Sequence, residues 1–362
     1  MPRPLSRAAS AAALLPALLL LAPGCSGGGG NGTTPPPPAT CSFTNPVASG
    51  ADPWVVQRGG WYYLIQSRDN GIWVSKSENL SDVAGASAVR VWTAPATGWN
   101  RTNIWAPELH YLDGKWYIYY AGGESGPPFL YQRSGVLESV GDDPQGAYVD
   151  KGMLYTGDDL AGGTNNRWAI DVTVARLNGQ LYAVWSGWES SATTDRTPQH
   201  TYIAPMSNPW TISGNRVKIS SPTESWEVST ELALQEGPEF LLRGDDVFII
   251  YSAAESWLPA YKLGQLKLQS ATADPLSPGS WVKSGPVFSG TSGVYGVGHA
   301  SFAKSPDGTE DWIIYHSKVQ PSPGWDRVIR MQKFGWKPDG SPDFGTPGAA
   351  NQTLTRPAGE CD

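Results

Sequence analysis

The sequence predicts an all-β chain folded as a five-bladed β-propeller. Helical periodicity is nearly absent. Short apolar runs rich in Tyr, Trp, Val and Ile alternate with clusters of Gly, Asn, Asp, Ser and Pro. One unit, an apolar strand, a tight turn and a second apolar strand, recurs five times, with turn glycines at 60, 114, 179, 244 and 308. The spacings of 54, 65, 65 and 64 residues exceed a solenoid repeat and fall short of a domain. A sheet of that size cannot bury both faces alone, so neighbouring blades must cover it.

Before the first repeat, residues 1–24 read as a secretion signal. Arg3 and Arg7 give a positive start, and AAALLPALLLLAP is an apolar core too short to span a bilayer. LAPGC at 21–25 resembles a bacterial lipoprotein cleavage box with Cys25 as the lipidated residue. SGGGGNGTTPPPPAT, 26–40, joins flexible Gly to stiff Pro, so 25–40 reads as a lipid-anchored tether and 41–362 as the folded domain. With Cys25 lipidated, Cys41 and Cys361 remain, one at each end of that domain. Export allows them a disulfide, and a ring of blades brings its termini together. No Cys–Cys or Cys–His spacing points to zinc.

The copies follow in order. ADPWVVQRGGWYYLIQS places Asp52 eight residues before Gly60, and NGIWVSKS (70–77) continues that blade. WAPELHYLDGKWYIYYAG places Ala106 eight before Gly114, with FLYQRS (129–134) as a later strand. AIDVTVARLNGQLYAVWSG places Asp171 eight before Gly179, followed by TYIAPMS (201–207). QEGPEFLLRGDDVFIIYSA places Glu236 eight before Gly244, followed by KLGQLKLQS (262–270). GHASFAKSPDGTEDWIIYHS places His299 nine before Gly308. The LDG and LNG turns suit hairpins, because Gly tolerates positive φ. No break in composition divides 41–362, which reads as one domain.

Charged residues make up 16% of the chain, against about 25% on average. The net charge is −7 without a long basic run, which excludes nucleic acid as a partner. The 17 tryptophans serve packing between sheets in the main, with sugar stacking as the functional use.

Three copies begin on a carboxylate. One such acid would read as a strand end facing water. Three in register would converge on one end of the central channel. Hydrolysis of a glycosidic bond needs a neutral carboxyl to protonate the leaving oxygen and an ionised one to activate water or attack carbon. A third carboxylate can hold the acid's pKa up by like-charge repulsion. Glu236 has the longest reach and suits the proton donor. Asp52, fixed by Pro53, suits the base, and Asp171 the third role. Glu108 and Glu239 read as structural, as do His110, His200 and His316, which lack ligand spacing. Arg330 is a candidate for binding a sugar hydroxyl or for a surface ion pair. DDPQG at 142–146 lacks the ligand alternation of a calcium loop.

DPWV, IWAPELH, AIDVTV, QEGPE, VYGVGHASF and the ending RMQKFGWKPDGSPDFG resemble glycoside hydrolase family 43, in the family's order and over roughly 45–345. The nearest likeness is to exo-acting α-1,5-L-arabinofuranosidases. The resemblance implies a five-bladed propeller and inversion at the anomeric carbon. It implies Asp52 as general base, Asp171 as pKa modulator, Glu236 as general acid and Trp105 as a pocket-wall aromatic. His299 matches an axial histidine near the substrate that can ligate a structural calcium ion; no cofactor is required. Val172 stands where relatives usually carry Gly, and Ala300 where close relatives often carry Asn. The implied partner is an arabinose-containing polysaccharide or oligosaccharide. Membrane contact is expected only through Cys25, in a protein that is secreted or held as a surface or periplasmic lipoprotein. An endo-arabinanase, a β-xylosidase and a non-catalytic glycan-binding propeller remain the alternatives.

Overall fold

The computed structural model describes residues 41–361, apart from 164 and 229–231. The segments expected to be a signal peptide and a tether, with the expected lipidation at Cys25, lie outside the described residues.

The described chain is a ring of five antiparallel sheets. Blade 1 comprises Trp54–Arg58, Trp61–Arg68, Gly71–Ser77 and Ala88–Thr93. Blade 2 comprises Thr102–Leu112, Lys115–Gly123, Arg133–Ser139 and Tyr148–Met153. Blade 3 comprises Ala169–Leu177, Gln180–Gly187 and His200–Asn208, and its outer edge is divided between Thr211–Ile212 and Val217–Ser220. Blade 4 comprises Gln235–Arg243, Asp246–Ala253, Lys262–Leu268 and Trp281–Ser289. Blade 5 comprises Tyr295–Lys304, Asp311–Lys318 and Arg327–Trp336. Its outer edge is Ala48–Ser49 from the start of the domain, with Pro342–Asp343 beside it. The N-terminal segment thus closes the ring, pairing Ala48 with Ile329 and Ser49 with Val328. Outside it Ser42–Thr44 pairs with Thr353–Thr355, and Cys41 and Cys361 are joined by a disulfide with Cα atoms 5.7 Å apart.

The central strands are apolar on both faces because each face meets a different blade. In DVFIIYSA, Val247, Ile249 and Tyr251 pack toward blade 3, while Phe248 and Ile250 pack toward blade 5. Period-two alternation therefore sorts one continuous apolar run into two interfaces. Five such clusters, one between each neighbouring pair of blades, form the core. Each fully buried Ile or Leu contributes about 1.5–3 kcal/mol by burial.

One predicted strand is corrected. FLYQRS does not run as a strand from 129; pairing starts at Arg133. The backbone before it is claimed by loops: Phe129 N–H donates to Asp195 Oδ2 at 3.1 Å, and Phe129 C=O accepts from Trp168 Nε1 at 2.7 Å.

Candidate active site

The inner strands of blades 2 to 5 are each interrupted near their beginning. Ladder pairing skips from Trp105 to Glu108, Ile170 to Thr173, Glu236 to Glu239, and Gly298 to Ser301. The first residue of each bulge is left-handed: Ala106 at φ 40°, Asp171 at 56°, Gly237 at 52° and His299 at 47°. Asp52 takes the same conformation, φ 49°, just before blade 1. An L-residue held there costs about 1–2 kcal/mol, which the surrounding ladder must impose. Bulges of this kind re-aim a side chain at the end of a sheet.

This geometry revises the repeat's frame. The hairpin turns of blades 1 to 3 are Gly59–Gly60, Asp113–Gly114 and Asn178–Gly179, with glycine second. In blade 4, Arg243 pairs with Asp246, so the turn is Gly244–Asp245 and the glycine comes first. Counting eight back from Gly244 therefore lands one residue early. Gly237 is the equivalent of Asp52 and Asp171. Glu236 occupies the preceding position, the one held by Trp105 in blade 2. The three acids come from two adjacent positions of the repeat.

The blades bring the acids together. Asp171 Oδ2 accepts the Gly237 N–H at 2.9 Å, tying the acid of blade 3 to the backbone beside Glu236. Glu236 is half-buried and hydrogen-bonded by Tyr261 and Ser256. Burial, joined by the negative charge of Asp52, pushes its carboxyl up to about 7, against the pull of Tyr261, Arg327 and Ser256. Asp171 is likewise raised well above the usual range, by burial first and then by Glu236 and Asp52.

Asp52 is set the other way. Burial would raise it too, but Arg327, His299 and His316 outweigh burial and hold it well below the usual carboxylate range. Arg327 Nη1 lies 3.1 Å from Asp52 Oδ1, His316 Nδ1 3.1 Å and His299 Nδ1 3.3 Å. The Asp52 backbone N–H donates to His316 Nδ1 at 3.2 Å. Burial pushes His316 down to about 4, so the ring is neutral near pH 7. Its Nδ1 faces both the Asp52 N–H and Oδ1 and, according to tautomer, serves one of them at a time, which leaves Arg327 as the leading influence on the carboxylate. The site therefore couples an ionised carboxylate to a carboxylic acid that is still substantially protonated near neutrality. That pairing is what acid–base cleavage requires.

Trp105 is partly exposed and meets Phe129 edge-on at 4.9 Å. Behind it Trp168 and Trp188 stack with centroids 4.5 Å apart. Arg330 is not among the acids' partners. It is 3% exposed, and its guanidinium is spent on Ser317 Oγ at 2.9 Å and Gly348 O at 3.0 Å. The arginine that reaches Asp52 is Arg327. An odd separation of three along one strand puts the two on opposite faces, and RVIR alone does not say which face is inward. His316, read from sequence as structural, was also missed as an acid partner. The residue paired with the last one before each bulge is Ala121, Ser186 and Ser252 in blades 2 to 4, but His316 in blade 5. A histidine breaking a run of small residues was the available signal.

Just past the bulges lie Glu108, Thr173, Glu239 and Ser301. Thr173 Oγ1 donates to Glu239 Oε2 at 3.3 Å, and Glu108 Oε2 bonds His110 Nε2 at 2.8 Å. Burial raises both glutamates well above their usual range, and Glu239 adds to the rise at Glu108. Asp52, Glu108, His299 and Ala300, with Pro53, Pro107 and Pro238, line a small cavity. Calcium takes six to eight oxygen ligands. This lining offers one ionised carboxylate, Asp52, whose Oδ1 is already engaged by Arg327 and the two histidines, an imidazole directed at that carboxylate and a glutamate that favours its neutral form. Among the described residues no group of three His, Cys, Asp or Glu could hold a metal ion. The residues do not fit a calcium cage, and no chemistry is routed through one.

Comparison with known proteins agrees with this geometry. A family model described as glycosyl hydrolases family 43 matches residues 43–342. The chain is 37% identical over 329 residues to an extracellular exo-α-(1→5)-L-arabinofuranosidase of Streptomyces avermitilis, covering 87% of this chain and 66% of that one. It is 36% identical over 310 residues to α-L-arabinofuranosidase 43 of Humicola insolens, covering 82% of this chain and 62% of the relative. The chain thus spans just under two thirds of the length of these relatives. The crystal structure of an α-L-arabinofuranosidase from Lactobacillus brevis superposes with a TM-score of 0.78 at 31% identity, covering 86% of this chain and 98% of that one. With its five blades and its paired acids, the chain belongs to glycosyl hydrolases family 43.

Proposed function

We propose that this protein is an exported, inverting exo-α-L-arabinofuranosidase that removes arabinofuranosyl units from arabinan or arabino-oligosaccharides, anchored through lipid on Cys25. The observation that carries the chemistry is the opposite setting of two neighbouring carboxyls, Asp52 held ionised and Glu236 raised to about 7. The relatives' names supply the sugar. A water beside Asp52 gives up a proton to it and forms the new bond to the anomeric carbon. The bond to the leaving oxygen breaks as Glu236 delivers its proton there. Exchange with solvent then restores both groups. Asp171 fixes the backbone that follows Glu236 by accepting the Gly237 N–H, while burial and the charges of Glu236 and Asp52 favour its own protonated form. Arg327, His299 and His316 keep Asp52 unprotonated and oriented.

The test is release of arabinose from α-1,5-arabinotriose, followed by NMR from the first seconds. The β-anomer appears first if the reading is right. Initial α-anomer overturns inversion, and release of xylose alone, from xylo-oligosaccharides, overturns the substrate. Fractionation of the exported protein tests the anchor: Cys25→Ser leaves the membrane fraction or stays unprocessed, and unchanged membrane association refutes lipidation.

A further inference from the structure

Among the described residues Trp325 is the one exposed tryptophan, with 60% of its surface open. It lies in the blade 5 loop between Asp311–Lys318 and Arg327–Trp336, at the same end of the ring as the acids. Trp257 stands on the matching loop of blade 4, partly buried, and the two rings meet with centroids 5.2 Å apart at 49°. The loops are fastened together: Gly324 N–H donates to Trp257 C=O at 2.9 Å, and Lys318 Nζ donates to Gly324 C=O. Each tryptophan is also tied to one of the reacting carboxyls. Ser256, next to Trp257, hydrogen-bonds Glu236. The Arg327 guanidinium lies 5.6 Å from the Trp325 ring centroid and holds Asp52 with Nη1.

One exposed hydrophobic side chain is ordinary, but here a second indole packs against it at the mouth that holds the acids, which makes a paired aromatic surface. A sugar ring is a matching cover, since its C–H groups meet the negative face of an aromatic ring while its hydroxyls stay wet. The cleaved sugar belongs beside Asp52, where Trp54, Pro107 and Pro238 line the cavity with it. Only the part of the substrate beyond the scissile oxygen extends to the rim, and that oxygen is the one Glu236 protonates.

Resting on the proposed glycosidase reading, we propose that Trp257 and Trp325 form a platform for the sugar on the leaving-group side of the scissile bond. The platform makes the enzyme prefer a glycan chain to a single glycoside. It binds through stacking and touches no reacting atom.

The experiment compares wild type, Trp325→Ala and Trp325→Phe on α-1,5-arabinotriose, with inhibition by free arabinose as control. Trp325→Ala should raise KM for the trisaccharide about tenfold, roughly the strength of one aromatic stacking contact. Its kcat should stay within about twofold and Trp325→Phe should recover most of the loss. Inhibition by arabinose should not change, because the monosaccharide fills only the cleaved-sugar position. An unchanged KM, or equal weakening of trisaccharide and monosaccharide, overturns the platform. The same set is run on xylotriose with xylose as inhibitor. If wild type cleaves only xylotriose, the arabinose reading fails and the platform is judged on the xylose series. If wild type cleaves neither, both readings fall.

Discussion

Asp52 and Asp171 are the same residue type at the same repeat position in the same left-handed conformation, and their surroundings set them oppositely. Asp171 is buried and Asp52 keeps about a fifth of its side chain open (21%), yet desolvation pushes both carboxyls up and so does not explain their opposite settings. The partners do. All three groups that hold Asp52 down, His299, His316 and Arg327, come from blade 5, across the seam where the ring closes. Asp171 faces Glu236 of blade 4, the next blade in the chain, and accepts the Gly237 N–H. A repeated scaffold thus supplies identical mounts, and the neighbouring blade decides whether the mounted acid is a base or a proton-retaining group.

The largest test removes the two reacting carboxyls in turn. Asp52→Ala should lose about 10⁴-fold on both arabinotriose and an activated aryl arabinofuranoside, because water must be activated whatever leaves. Glu236→Ala should lose about 10³-fold on arabinotriose but under about tenfold on the aryl glycoside, whose leaving group needs little proton help. Equal losses on both substrates in both variants would erase the distinction between the roles.

Next comes the seam. Arg327→Met removes the strongest of the influences lowering Asp52, so the base titrates at higher pH. Below the unfolded value, about 3.9, the wild-type folded state still keeps Asp52 ionised, and the stability this provides is lost as pH falls through the depressed folded value. In Arg327→Met the acidic limb of kcat/KM should move up in pH, with about a hundredfold loss near pH 4.5 and a smaller one at pH 7. A limb that stays in place would mean the two histidines suffice.

Asp171→Asn should cost about ten- to a hundredfold while the alkaline limb, which follows Glu236 near 7, stays in place. The limb stays because Asp171 itself is pushed up by burial and by its acidic neighbours, so Asn takes away an acceptor for Gly237 N–H and no charge. An alkaline limb that moves to lower pH would show Asp171 ionised and helping Glu236 keep its proton.

The smallest effect on activity is expected from the clasp. Cys41→Ser with Cys361→Ser should lower stability by about 2–5 kcal/mol, read from denaturant midpoints, while kcat/KM at 25 °C stays within about twofold. Because blade 5 holds Asp52 across that seam, a larger loss of activity would show that the closure tunes the base.

Much of this was legible in the sequence because blade repetition is a pattern of period and turn. The five copies, the closing disulfide and the gathering of Asp52, Asp171 and Glu236 in one place all show in residue order. What the sequence could not carry is register across the ring. Gly244 looks like Gly60, Gly114 and Gly179 but stands one place earlier in its turn, and only strand pairing reveals that Glu236 and Asp171 are on different repeat positions. Arg327 and Arg330 differ by which strand face turns inward, and His316 meets Asp52 over a sequence distance of 264 residues. Such contacts leave no local signature.

The left-handed residues at the head of the blades have a consequence for how chemistry can change on this ring. They are five equivalent sockets, occupied by aspartate twice, histidine once, alanine once and glycine once. Refilling a socket alters the functional group at the mouth while leaving the interfaces between blades untouched, since those lie further along the same strands. Ala106 bears the conformational strain with no polar group to show for it, so Ala106→Asp or Ala106→His adds a titratable group beside the pocket at a backbone cost the fold already carries. The propeller separates the residues that make it stable from those that make it reactive, one place per blade.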